Sequence, residues 1–167
     1  MNVFFTVLLL PLGLLTVQPG FKPGRFVATG KFRLHASVSR AFTMFEPIGE
    51  KEWAQGWDPN PIYPDVIKPV EGAVFTTREK GEPSIWTITR YERGRTIEYS
   101  VVSPGHDTTQ ISVACKGIAE SVTEVTVSYR ITGLSEQGNE YGLEHKSMFG
   151  SVMDHWRERI SLALAAN

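Results

Sequence analysis

The spacing of apolar and polar positions first predicts a strand. Over residues 25–35 (RFVATGKFRLH) the two kinds of residue alternate, which is the period of a half-buried strand. Phe26, Ala28, Phe32 and Leu34 fall on one face of it. Ser37 or Ser39 is placed to begin a short helix.

Pro47 ends that first short helix, which runs through Phe45, and a second one fits residues 49–56. The proline-rich sequence WDPNPIYPDVIKP comes next and predicts an irregular loop, because proline removes backbone donors. Regular structure is then expected to resume near residue 73.

From residue 73 onward, β-branched and aromatic segments alternate with short turns, most of which contain glycine. The pattern predicts five strands, at residues 73–78, 84–92, 95–102, 108–116 and 122–132. Connections this short make consecutive strands antiparallel neighbours. Alternation is clearest in the last two strands, where one face is expected to be buried and carries Ile111, Val113 and Cys115, then Val125, Val127, Tyr129 and Ile131.

The end of the chain changes to a helical period. Apolar residues recur near every 3.6 positions from Tyr141 to Leu164, which predicts one helix over residues 139–165 with a length of roughly 40 Å. A helix of that length needs a broad apolar partner, and the sheet is the one available. We therefore predict an α+β fold in which an antiparallel sheet of about six strands wraps on a long C-terminal helix.

The N-terminus stands apart from this domain. Residues 3–17 are almost wholly apolar, but at about 15 residues they are shorter than a membrane-spanning helix. They fit the apolar part of a secretory signal, although no Lys or Arg precedes them; an apolar arm or a mis-assigned start are the alternatives. We expect an N-terminal segment at residues 1–22 and a single domain at residues 23–167. The protein is exported or tethered if the segment is a signal, and cytoplasmic otherwise.

Composition narrows the range of partners. Lys and Arg total 17 against 18 Asp and Glu, so the basic excess of a nucleic-acid-binding surface is missing. The single cysteine, Cys115, excludes an internal disulfide and is expected to be a buried thiol. No metal-ligand spacing, nucleotide-binding loop or nucleophile motif occurs, so no metal, cofactor or catalytic residue is predicted. Membrane contact is expected only through residues 1–20, and a homodimer is the other expected assembly.

Three segments carry a resemblance to a known family. These are FRLHASVSRAFTMFEPIGEKEWAQGWDP, IWTITRYERGRTIEYS and VTEVTVSYRITGL. Over about residues 25–166 the chain resembles the START-like superfamily, which has the helix-grip fold of the birch-pollen allergen and includes the polyketide cyclase and lipid-transport group called SRPBCC. The resemblance implies a cavity between sheet and helix that holds a hydrophobic ligand. The fuller versions of the fold have seven strands, so six strands predict a shallower cavity.

Candidates for the lining of this cavity are aromatic, apolar or able to orient a ligand. His145 is the best polar candidate, because it shares the apolar stripe of the helix. Each residue has the alternative of being ordinary core. The predicted ligand-binding residues are Trp53, Trp57, Tyr99, Tyr129, His145, Met148, Val152 and Trp156.

Sheet parity decides one further candidate, because Glu98 faces water if Ile97, Tyr99 and Val101 face the cavity. The leading hypothesis is a non-catalytic protein that binds or transports a lipid, an isoprenoid or a polyketide-like molecule. The alternatives are a cyclase or dehydratase-like enzyme acting in the same cavity, and a protein-interaction module.

Overall fold

The computed structural model describes residues 20–78 and 83–166. The apolar sequence at residues 3–17 and nearly all of the predicted turn at residues 79–83 lie outside that part of the chain. Within it, the strands are β1 (Arg25–Leu34), β2 (Asn60–Tyr63), β3 (Val74–Thr77), β4 (Ser84–Glu92), β5 (Thr96–Ser103), β6 (Asp107–Ala119) and β7 (Val122–Gly133). The helices are α1 (Val38–Thr43) and α2 (Glu136–Ala166), and a short 3-10 helix spans Gly49–Glu52.

The seven described strands form one antiparallel sheet in the order β1-β7-β6-β5-β4-β3-β2. From β2 to β7 each strand pairs with the next along the chain, as short connections require, and β1 closes the series against β7. Helix α2 lies across the inner face and contacts β1 and β7 most closely. The predicted α+β class with a helix-grip layout is confirmed.

The period-two patterns predicted the buried face correctly. Ile111, Val113 and Cys115 are buried on β6, and Val125, Val127 and Ile131 are buried on β7. Tyr129, predicted on the same face, is partly buried. Gly30 of β1 lets α2 approach the sheet closely, because a Cβ at this residue would overlap the side chain of Met153. Cys115 is a free thiol in this core, and burial raises its pKa to about 12.

The prediction of six strands was wrong by one. Strand β2 lies inside the proline-rich segment that was predicted to be irregular, and it pairs Asn60 with Thr76 and Pro61 with Phe75. Pro61 is tolerated within the strand because β2 is an edge strand and pairs on one side only. The reason for expecting a shallower cavity therefore disappears.

Helix boundaries also differ from the predictions. Helix α2 begins at Glu136, not residue 139, and the Gly138 N–H donates to Ser135 Oγ at 3.1 Å. Ser135 is thus the N-terminal cap of α2. The second short helix is a single 3-10 segment over Gly49–Glu52 and does not reach Gly56.

Candidate functional site

One end of the space between sheet and helix is filled by the protein's own aromatic side chains. The Trp156 ring on α2 lies 5.1 Å from the ring of Trp53 and 6.5 Å from that of Phe45, between centroids. Trp53 Nε1 donates to the Met44 carbonyl at 2.6 Å, and the Tyr99 hydroxyl donates to the Phe45 carbonyl at 2.8 Å. We call this cluster of Phe45, Trp53, Tyr99 and Trp156 the closed end. The polar tips of Trp53 and Tyr99 are satisfied by backbone, so they have no need of a ligand.

Two further indoles separate this end from the rest of the interface. Trp57 donates from Nε1 to the Pro47 carbonyl at 2.7 Å, and its ring meets Trp86 edge-on at 5.0 Å. Trp86 also packs edge-on against Tyr99 at 5.7 Å. Trp86 therefore contacts the filled cluster on one side and, on the other, borders open space.

That open space is a cleft of about 590 Å³ between the sheet and the first turns of α2. We call it the open end. Inward-facing side chains of the sheet form one wall, and Gln137 and Tyr141 of α2 form part of the other. The turn between β5 and β6 stands at its edge and contributes His106. Its apolar and aromatic wall residues on the sheet are Trp86, Val101, Ile111 and Tyr129.

Hydroxyl groups replace apolar side chains at several inward positions of this wall. Ser84 Oγ and Ser103 Oγ lie 3.0 Å apart, and Trp86 Nε1 donates to Thr77 Oγ1 at 2.9 Å. The side chains lie near the ends of β3, β4 and β5 that border the cleft. The open end consequently has an aromatic side and a polar side, as sites for small molecules commonly do.

The most buried polar group of the cleft is the carboxylate of Asp107, which is 4% exposed. Its Oδ1 lies 2.8 Å from His106 Nδ1, and its Oδ2 accepts from Thr109 Oγ1 at 2.7 Å. A carboxylate accepts only, so the 2.8 Å contact assigns the proton to Nδ1 of His106. The Leu134 N–H donates to the His106 carbonyl at 2.8 Å and fastens the turn beside the start of α2.

A row of rings leads from His106 along α2. Centroids are 5.5 Å apart for His106 and Tyr141, 5.7 Å for Tyr141 and His145, and 4.7 Å for His145 and Tyr129. Burial lowers the pKa of His145, and Asp107 offsets part of that effect. Its Nε2 is buried without a hydrogen-bond partner. Burial thus favours the uncharged form of His145, whose ring lies behind the two tyrosines that face the cleft.

The predicted lining residues fall into several places. Tyr129 forms part of the cleft wall, and His145 lies directly behind it. Trp53, Tyr99 and Trp156 belong to the closed end, Trp57 lies beside it, and Val152 packs against the core. Met148 is 51% exposed, so its position does not support its assignment to a cavity wall.

Sheet parity places Glu98 on the outer face, because Ile97, Tyr99 and Val101 are all buried on the inner one. Glu98 lies 3.6 Å from Arg90 Nη1 there. Sequence reasoning missed Trp86, Asp107 and Thr109, and it treated His106 only as a turn residue. The one available signal was a carboxylate and a hydroxyl at alternate inward positions of a strand otherwise lined by Ile111 and Val113.

Residues 22–24 are fastened to the first turn of α2. Asn139 of α2 accepts from the Gly24 N–H through Oδ1 at 2.6 Å and donates from Nδ2 to the Lys22 carbonyl at 3.0 Å. These two bonds tie the chain just before β1 to the start of the helix.

Neither a membrane-spanning helix nor a metal-binding cluster is found among the described residues. No helix among residues 20–78 and 83–166 is long and apolar enough to cross a membrane. The same residues contain no group of three or more His, Cys, Asp or Glu side chains placed to hold a metal ion.

No family model matches the sequence, and no curated protein matches it either. Solved structures do. Norcoclaurine synthase from Thalictrum flavum, in complex with dopamine and hydroxybenzaldehyde, is similar with a TM-score of 0.61 at 8% identity, over 98% of each chain. A protein from Mesorhizobium loti has a TM-score of 0.64 at 11% identity, covering 84% of this chain and 98% of its own.

CalU16 from Micromonospora echinospora is similar at 18% identity with a TM-score of 0.50, over 87% of this chain and 98% of its own. The chain therefore has the helix-grip fold, in agreement with the resemblance seen in its sequence. At these identities the likeness shows fold alone, and function has to be argued from the site.

Proposed function

We propose that the protein binds a small, largely apolar molecule in the cleft at the open end. The observation that carries the proposal is the division of one interface into a filled end and a cleft of about 590 Å³ with aromatic walls. That volume lies within the roughly 300–1,000 Å³ of sites for small molecules. The structure of norcoclaurine synthase, which shares the fold, holds two small aromatic molecules.

The side chains that line the cleft narrow the class of ligand that was predicted from the sequence. A long acyl chain would cover the hydroxyls of Thr77, Ser84 and Ser103 without offering any of them a further hydrogen bond. A ring-shaped molecule with a polar end matches both sides of the cleft. Among the predicted classes, this favours a polyketide-like or cyclic isoprenoid ligand over a straight-chain lipid.

Two neighbouring valines on β5 provide a matched test. Val101 lines the cleft and is 6% exposed, whereas Val102 lies on the outer face and is 38% exposed. We expect Val101→Phe to weaken binding of the fluorophore N-phenyl-naphthylamine at least tenfold, because the added ring occupies the cleft. Val102→Phe should leave the affinity within about twofold, since the outer face is not in contact with the site.

Fluorescence titration of both variants measures this directly, and native mass spectrometry of the purified protein should show a small-molecule adduct that Val101→Phe loses. Equal binding by both variants, or no saturable binding by the wild type, would contradict the proposal.

An enzymatic role is the second candidate, and a specific observation favours it. A histidine held by a buried carboxylate is an arrangement that can accept a proton from a bound substrate. The cyclase or dehydratase-like reaction predicted as the alternative would need such a group. Turnover that falls on replacing His106 while ligand affinity stays unchanged would separate this role from simple binding.

An interaction role for residues 1–20, with a membrane or a second copy of the chain, stays a prediction from the sequence. Deleting residues 1–22 and comparing mass in solution and flotation with liposomes tests both. Unchanged values in both measurements would count against it.

A further inference from the structure

We propose that His106 and Asp107 recognise a hydroxyl group on the ring of the bound ligand, with Nε2 of His106 as the acceptor. The inference rests on the proposed function and names the chemical class of its ligand. It concerns a pair of residues that neither the sequence nor the likeness to other structures pointed to.

The contact with Asp107 fixes the tautomer of the His106 imidazole. Nδ1 of His106 lies 2.8 Å from Asp107 Oδ1, and the carboxylate can only accept. In the neutral imidazole the proton therefore sits on Nδ1, and Nε2 carries a lone pair. No hydrogen bond to Nε2 is present among the described residues, and the His106 side chain is 41% exposed at the edge of the cleft. A ligand in the cleft meets this nitrogen as an acceptor.

A ligand in the cleft reaches His106 and not Asp107. Asp107 is 4% exposed, and each of its oxygens already has a donor, from His106 and from Thr109. The carboxylate thus holds the imidazole in place and is covered by it. His106 is the recognising residue, and Asp107 is a positioning residue that acts through it.

The side chains around the His106 imidazole favour a flat ligand. The Tyr141 ring lies 5.5 Å from the imidazole, and Trp86 and Tyr129 face the same cleft from the sheet. Flat aromatic walls next to the imidazole acceptor suit an aromatic ring that carries a hydroxyl. A phenol-like hydroxyl is also a stronger donor than an aliphatic one, so it gains most from an imidazole held in this tautomer.

A pair of probes that differ only in the donor tests the inference. We expect the wild-type protein to bind 2-naphthol about five- to tenfold more tightly than 2-methoxynaphthalene, the effect of one hydrogen bond. His106→Phe should abolish that preference while keeping its affinity for 2-methoxynaphthalene within about threefold. Asp107→Asn should reduce the preference. His155→Phe is the matched control, because His155 is exposed and does not line the cleft.

The outcomes are distinguishable. If neither probe binds, the proposed function fails. If both bind with equal affinity in the wild type, or if His106→Phe keeps the preference, ligand binding in the cleft is supported but the role of His106 is overturned. Nitrogen-15 shifts of the wild-type imidazole supply a test that needs no variant: Nδ1–H is expected, and an Nε2–H tautomer would overturn the inference.

Discussion

The two ends of the interface between sheet and helix use similar side chains for opposite purposes. At the closed end, Trp53 and Tyr99 are buried and turn their polar tips to backbone carbonyls. At the open end, Trp86 and Tyr141 stand beside hydroxyls and the His106–Asp107 pair, around a cleft of about 590 Å³. Aromatic residues on a buried face therefore do not distinguish core from site. The partners of their polar atoms, and the side chains at the next inward positions, do.

The largest expected contrast is in stability. Trp156→Ala removes a ring packed against Phe45, Trp53 and Tyr129, and we expect a loss of about 3–5 kcal/mol in the free energy of unfolding. Tyr141→Ala removes a ring that is 38% exposed at the cleft and should cost about 1 kcal/mol or less. Urea unfolding of the two variants measures both. Equal losses would mean that the two ends are packed alike.

Glycines of α2 sharpen the contrast, because the same substitution should have opposite signs at two positions. A Cβ at Gly138 would overlap the His106 carbonyl, so Gly138→Ala must displace the β5–β6 turn and should destabilise by about 1–3 kcal/mol. Gly150 has nothing near its missing Cβ, and Gly150→Ala should stabilise by about 0.5–1 kcal/mol through helix propensity.

Thermal unfolding gives the sign at each position. Gly138→Ala should also weaken probe binding, because it moves His106. A stabilising Gly138→Ala would show that the turn is not held against the helix.

The smallest expected effect is a pH dependence from His145. Its folded-state pKa is lowered by burial, so the unfolded chain binds the proton more strongly. The native state should consequently lose stability as pH falls below the unfolded value of about 6.5, and it should be unaffected above it. His145→Phe should flatten this dependence between about pH 7.5 and 5.5. Identical slopes of unfolding free energy against pH in both proteins would contradict the buried, neutral state of the ring.

The fold was largely predictable because its signals are local. Alternation on β1, β6 and β7 and the helical period of α2 follow from burial on one face, and these patterns survive in the sequence. Strand β2 was not predictable, because Pro61 is allowed in it only by its position at the sheet edge, which depends on the whole topology. Ser135, four residues before the predicted helix start, was the signal for the true beginning of α2.

A cavity between sheet and helix was predicted, but most of the side chains that line the observed cleft were not. Of the eight predicted lining residues, Tyr129 is in the cleft wall and His145 is behind it, while the indoles of Trp53 and Trp156 went to the closed end. Asp107 and His106 were missed because they border the cleft only where the β5–β6 turn approaches α2, through its contacts with Leu134 and Gly138. No spacing along the sequence encodes that approach.

The central claim is that ligands enter the open end and leave the closed end untouched. The four tryptophans offer one measurement of it, because each indole N–H gives its own signal in a nitrogen-15 correlation spectrum. Titration with 2-naphthol should shift the Trp86 signal saturably, with a smaller change at its neighbour Trp57 and none at Trp53 or Trp156. Saturable shifts at Trp53 and Trp156 with Trp86 unmoved would contradict the account.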